Sequence, residues 1–142
     1  LFGWPLEGSY YDDVKGYVDT LPEHIKDRIV FHDVVPGHIA TAVGDIFLGP
    51  STWETWFLSL SEAMAAKKPT IVSDKSILRE VGGQGTLYVN EKDPESIAKA
   101  MDAMLHDPEL QEYSAVANHI RARTYTWEHS AAKLEQVFQS LV

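Results

Sequence analysis

The sequence predicts an α/β protein: a parallel sheet wrapped by helices. Three observations carry that expectation. Short apolar or β-branched runs at residues 29–32, 45–48, 70–72 and 86–89 alternate with stretches of helical periodicity. From Asp45 to Pro69 an apolar run, the sharp Gly49-Pro50-Ser51 turn and a helix-favouring segment follow one another directly. Further helical segments then close the chain. Strands that alternate with helices are joined by crossovers, so they lie parallel with helices on both faces.

Leu1-Phe2-Gly3 reads as the end of a strand, followed by a loop. Ser9 suits the N-cap of a helix reaching about Thr20, with Val14, Tyr17, Val18 and Leu21 on one face. The run at 29–32 reads as a strand, and Pro36 suits the first turn of a short helix through Ala42. A strand is expected at 45–48, a helix at 56–67 and a strand at 70–72. A short helix at 77–81 stops at Gly82-Gly83, and a strand follows at 86–89. Helices are expected at 94–106, 108–125 and 127–141. No internal repeat, linker or low-complexity tract interrupts the order.

The chain has 142 residues, 44% apolar and 23% charged, which is ordinary composition for one globular domain. A domain of that length can bury roughly two thirds of its unfolded surface. The net charge of −9 argues against a nucleic-acid partner, which needs a basic face. With no cysteine there is no disulfide scaffold and no thiolate metal site. No apolar run approaches the ~20 residues of a membrane span, and no signal-peptide pattern opens the chain. A soluble, cytoplasmic protein is expected.

Most of the chemistry lies between Asp45 and Pro69. Glu54 follows the turn, and Glu62 comes after seven intervening residues. Open α/β sheets bind anions at the carboxyl edge of a strand, where helix-start N–H groups and the helix dipole favour negative charge. Two carboxylates beside such a place suit a ligand with both phosphates and hydroxyls, as in a nucleotide sugar. Were both on one helix, they would lie about 80° apart and address opposite ends of an extended ligand. Each also has a plainer explanation. Glu54 could serve only as a helix-start charge worth ~0.3–1 kcal/mol, and Glu62 could simply face solvent.

Pro50-Ser51, Glu54, Glu62-Ala63-Met64-Ala65, Pro69 and Thr70-Ile71-Val72-Ser73-Asp74 fall in one register with a known signature. This stretch resembles that of the retaining glycosyltransferases with the two-Rossmann GT-B architecture. Ile29-Val30-Phe31 with Val35, then Leu78 to Val89, and the segments at Asp93-Pro94-Glu95, Asp107-Pro108-Glu109 and Tyr125-Thr126-Trp127-Glu128 match further landmarks. The resemblance implies a Rossmann-like domain forming most of the C-terminal half of a GT-B fold. It implies binding of a nucleoside-diphosphate sugar without a metal or other cofactor, and transfer of its hexosyl group. The acceptor would be held by a preceding N-terminal domain. An upstream strand and helix would supply an Arg and a Lys to the diphosphate.

By the same resemblance, Glu54 would hold the transferred sugar and Glu62 the ribose, whose two hydroxyls one carboxylate can accept. Backbone N–H groups from Thr55, Trp56, Phe57 and Leu58 would meet the diphosphate, and Val35 the base. One departure stands out. The family has a small residue, Phe and Gly after the first Glu; here these are Thr55, Trp56 and Phe57. Phe57 puts a Cβ and a ring where bare backbone is expected to approach a phosphate. A non-catalytic interaction module, degenerate at this loop, is therefore the alternative function.

Other motifs are poor. Gly49-Pro50-Ser51-Thr52-Trp53 lacks the last glycine of a nucleophile elbow. Gly82-Gly83-Gln84-Gly85 precedes a strand, so it reads as a helix cap and not a phosphate cradle. No Asp-x-Asp triplet occurs, and the histidines lack metal-ligand spacing.

Overall fold

The computed structural model describes residues 10–32 and 35–141. The expected strand at 1–3 and the Ser9 cap lie outside the described residues. The chain divides into two compact units, Leu1–Ala40 and Thr41–Val142.

In the first unit α1 (Tyr10–Asp19) buries Val18, as its apolar face requires. A short helix that the periodicity did not signal, α2 (Glu23–Lys26), follows Pro22 and carries a Lys26–Glu23 ion pair of 2.9 Å. The expected strand at 29–32 does not form; only His32 makes a bridge-type pairing. The cause is local. The N–H groups of Arg28 and Ile29 bond back to the carbonyls of Ile25 and Lys26, so turns following α2 consume the start of the run. Helix α3 (Gly37–Val43) runs across the division, and the N–H groups of Ile39 and Ala40 both reach the Pro36 carbonyl.

The second unit holds a three-stranded parallel sheet in the order β1 (Phe47–Gly49), β2 (Thr70–Ser73), β3 (Thr86–Val89). Phe47 pairs with Thr70, and Thr70 with Thr86. Helix α4 (Leu58–Ala65) joins β1 to β2; α5 (Ser76–Gly82) and a 3-10 turn (Gly83–Gly85) join β2 to β3. Then come α6 (Pro94–His106), α7 (Pro108–Ala122) and α8 (Trp127–Gln139).

Strand alternation sorts the core onto two faces. Val72 packs with Leu60 and Met64 of α4 and Leu78 and Val81 of α5, all fully buried. Ile71 and Val89 face the other way, onto Met104 of α6. Helices thus cover both faces of a sheet whose central strand is buried at every residue, as a parallel sheet demands. Helix starts obey simple capping chemistry. The side chains of Asp93, Asp107 and Thr126 accept from the N–H groups of Glu95, Leu110 and His129. Gly83, at φ 64°, ends α5 as the Gly82-Gly83 pair predicts.

Behind the sheet's amino edge lies a buried polar cluster. Asn118, fully buried on α7, donates to the Thr70 hydroxyl at 2.9 Å and accepts from the Thr86 hydroxyl at 3.3 Å. The Thr70 and Thr86 hydroxyls are 2.8 Å apart, and the Ser114 hydroxyl donates to the Gly85 carbonyl at 2.5 Å. Beyond Asn118, α7 and the turn after it serve the ends of other helices. The His119 ring lies 2.9 Å from the Ala65 carbonyl of α4. Arg121 and Tyr125 each donate to the Val81 carbonyl of α5, both at 2.8 Å. Terminal carbonyls that no helix can satisfy alone are answered here by side chains.

Candidate functional site

The loop at 50–57 leaves the carboxyl end of β1 and returns at the start of α4. Its first half is tied down by short hydrogen bonds. The Ser51 N–H donates to the Gly49 carbonyl at 2.9 Å, and the Ser51 hydroxyl to the Trp53 carbonyl at 3.1 Å. The Ser73 hydroxyl, fully buried at the end of β2, donates to the Ser51 carbonyl at 2.6 Å. Glu54 lies next in the loop and is half-buried; Thr55 is exposed. Trp56 donates its indole N–H to the Ser61 hydroxyl at 3.1 Å and sets its ring edge-on to Tyr125, centroids 5.1 Å apart.

Phe57 decides where the helix begins. Its backbone is left-handed, φ 65° and ψ 72°, so it cannot be a helical residue and stands as the N-cap. The expected helix start at Trp56 is therefore corrected to Leu58. Thr55 and Trp56 precede the cap, so of the four residues expected to offer helix-start N–H groups only Leu58 lies in the helix. The angular argument for Glu54 and Glu62 also falls away, because Glu54 is in the loop and only Glu62 is on α4.

No side chain caps α4. Its first N–H groups to find acceptors are those of Leu60 and Ser61, both on the Phe57 carbonyl at 3.0 and 3.4 Å. The N–H groups of Leu58 and Ser59 thus have no intrahelical acceptor, and they point out at the positive end of the helix dipole. The Phe57 ring turns inward. It packs on the core beside Phe47, centroids 5.6 Å apart. Glu54 and exposed Glu62 make no ion pair or side-chain hydrogen bond among the described residues. Val35 belongs to the first unit and is half-buried just before Pro36.

A second set of charges follows β2. Arg79 grips Asp74 with two hydrogen bonds, Nε to Oδ1 at 2.5 Å and Nη2 to Oδ2 at 2.7 Å, while its guanidinium lies 4.5 Å from the centre of the Tyr88 ring. The hydrogen bond from Arg79 holds the Asp74 carboxyl below its usual range. Lys75 does the same for Glu91 across 2.5 Å. Burial pushes the Tyr88 hydroxyl up, and that hydroxyl donates to the Gly83 carbonyl at 2.7 Å. These groups satisfy one another.

Ser73 and Tyr125 shape the site through the hydrogen bond to Ser51 and the Trp56 ring contact, and neither was given a role in it from sequence. Their parts depend on contacts between distant residues, for which a single sequence carries no local signal. Among the described residues no group of three or more His, Asp or Glu is placed to hold a metal ion, and no helix is long and apolar enough to cross a membrane.

Comparison with known proteins bears on this arrangement directly. The pattern described as "Glycosyl transferases group 1" matches residues 23–119, a span that contains the whole loop, both glutamates and the sheet. The chain belongs to the glycosyl transferases group 1 family. Among its relatives in that family is the GDP-mannose-dependent alpha-(1-6)-phosphatidylinositol dimannoside mannosyltransferase of Mycobacterium tuberculosis. The two are 31% identical over 130 residues, 92% of this chain and 32% of that protein. An uncharacterized glycosyltransferase of Methanocaldococcus jannaschii is 28% identical over 140 residues, 89% of this chain and 35% of that one. The chain therefore spans about a third of the length of the curated relatives it matches. Of solved structures, sucrose-phosphate synthase from Thermosynechococcus elongatus superposes with a TM-score of 0.84 at 22% identity, over 99% of this chain and 37% of that one. The pneumococcal O-GlcNAc transferase GtfA gives 0.75 at 16% identity, over 98% and 28%. Both share the GT-B fold, so the α/β architecture expected from the sequence holds for this member of the glycosyl transferases group 1 family.

Proposed function

We propose that this chain is the donor-binding half of a retaining glycosyltransferase that takes a hexosyl group from a nucleoside-diphosphate sugar. One observation carries the proposal. The uncapped start of α4, reached from the carboxyl end of β1 by one short loop, offers the N–H groups of Leu58 and Ser59; that same loop carries the unpaired Glu54, and Glu62 lies further along the helix. An anion fits those N–H groups, and sugar hydroxyls fit the carboxylates.

In this scheme the diphosphate sits at the helix start, Glu54 accepts from the transferred hexose, and Glu62 accepts from the ribose. As the glycosidic bond to phosphate breaks, charge grows on the departing diphosphate, and preorganised N–H groups stabilise it without reorganisation. The acceptor is bound by a separate N-terminal domain. Absence of an Asp-x-Asp triplet supports transfer without a metal, and absence of cysteine suits a cytoplasmic enzyme. The alternative is a non-catalytic module degenerate at Phe57; packing of that ring on the core favours the donor-binding reading, because the ring is then not lodged at the helix start.

Ligand-observed NMR on the 142-residue chain with UDP, GDP and ADP tests the proposal. GDP is the first choice, because a relative is named as GDP-mannose-dependent. One nucleotide is expected to saturate at about millimolar concentration, and Glu62→Ala to abolish its signal. A signal that survives Glu62→Ala would place the ligand elsewhere and overturn the assignment.

A further inference from the structure

A carboxylate that must meet particular hydroxyls has to be held within roughly 0.5 Å, and Glu54 sits in an eight-residue loop with no regular structure of its own. What holds it lies outside the loop. Before Glu54, Ser73 reaches from the fully buried end of β2 to the Ser51 carbonyl, and Ser51 in turn fixes the Trp53 carbonyl. After Glu54, the Trp56 ring meets the edge of Tyr125, whose hydroxyl is anchored on the Val81 carbonyl and whose ring packs on the core. The two anchors come from different elements, one from the central strand and one from the segment beyond α7. They bracket Glu54 by a few residues on each side.

We infer that Ser73 and Tyr125 are positioning residues that set the Glu54 carboxylate for the hexosyl group of the donor. This rests on the donor-site assignment above and adds a selective consequence to it. Among the described residues neither Ser73 nor Tyr125 makes a hydrogen bond to the Leu58 or Ser59 N–H groups or to Glu62. Loss of an anchor therefore weakens the grip on the sugar and leaves the grip on the nucleotide. A purely structural role would weaken both together.

Two measurements on the full 142-residue chain test this. The first is 15N relaxation without ligand: the Trp53 and Glu54 amides should become more mobile in Ser73→Ala and in Tyr125→Ala, while Tyr125→Phe, which keeps the ring edge, should stay close to wild type. The second compares GDP-mannose with GDP, or the corresponding pair for whichever nucleotide binds. Ser73→Ala and Tyr125→Ala should weaken the sugar nucleotide about tenfold and the free nucleotide less than about twofold. Adding Ser73→Ala to Glu54→Gln should cause no further loss. Unchanged mobility of Trp53 and Glu54 in folded variants, or equal weakening of both ligands, would overturn the inference alone. No binding of any nucleotide by wild type would instead overturn the donor-site assignment, and the inference with it.

Discussion

The ring of Phe57 occupies the space that Gly49 leaves by having no side chain. A Cβ on Gly49 would stand 2.5 Å from Cε1 and 2.7 Å from Cζ of that ring. Phe57 pays about 1–2 kcal/mol for its left-handed backbone, which glycine would adopt freely. Burial of the ring against Phe47 and the core offsets that strain. The glycine and the side chain are placed eight positions apart, and each makes sense only beside the other.

A double-mutant cycle exposes this dependence. Gly49→Ala should cost about 1–3 kcal/mol, because the ring must move or the strand must. In a Phe57→Gly background the same change should cost much less, leaving a coupling energy of about 1 kcal/mol or more. Thermal unfolding of the four proteins measures it. Additive effects would show that ring and strand end do not interact. Phe57→Gly by itself should leave nucleotide affinity unchanged, since the ring is taken up by packing on Phe47 and the core.

Asn118 is the central member of the polar cluster. Asn118→Ala would strip partners from the Thr70 and Thr86 hydroxyls and the Lys68 carbonyl. A destabilisation of about 2–4 kcal/mol is expected, since several buried groups lose partners at once. Chemical denaturation reads it. A loss under 0.5 kcal/mol would mean water replaces the side chain without penalty.

Asp74 supplies a pH test. Its carboxyl, hydrogen-bonded by Arg79, titrates below the usual value of 3.8. A lowered folded-state pKa stabilises the fold above the unfolded value and loses that contribution as pH falls through the folded one. Asp74→Asn should therefore be less stable than wild type near neutral pH, and the difference should shrink as pH drops below about 3.8. Carboxyl carbon NMR on Arg79→Gln should show Asp74 moving back up. A difference independent of pH would assign the effect to something other than the ion pair.

Helix α8 buries no residue, yet Thr126 caps it with a 3.1 Å bond from the His129 N–H. Thr126→Ala should remove about 1 kcal/mol from the helix alone. Hydrogen exchange should speed up for the first turns of α8 and stay unchanged in β2 and β3. A matching fall in protection of the strands would mean that α8 folds as one unit with the sheet.

Where structure follows from neighbours in the chain, sequence was legible. The helix starts expected at residues 94, 108 and 127 are those observed, and Gly82-Gly83 announced an end, because the signals that set them act within four residues. The order of strand, turn and helix from Asp45 to Pro69 was readable for the same reason. The strand expected at 29–32 was lost to turn bonds after α2, a competition that β-branched composition does not reveal. The start of α4 was misplaced because a left-handed Phe is exceptional, and its stabilising ring contact involves Gly49. Of the site, both glutamates were visible as types at a spacing. Their anchors, Ser73 and Tyr125, depend on bonds spanning 22 and 44 positions.

The bonds that α7 and its following turn send to other helices have a consequence for synthesis. They join residues 40 to 54 positions apart: Arg121 to Val81, Tyr125 to Val81, His119 to Ala65. On a ribosome the sheet strands and helices α4 and α5 emerge first, with their last carbonyls exposed and the hydroxyls of Thr70 and Thr86 awaiting Asn118. Local folding can form the pieces but cannot close them. A nascent chain halted before Asn118 would hold every strand of the sheet and still lack the strap that makes them one body. Such a chain should stay sensitive to protease until the segment through Tyr125 is free of the exit tunnel.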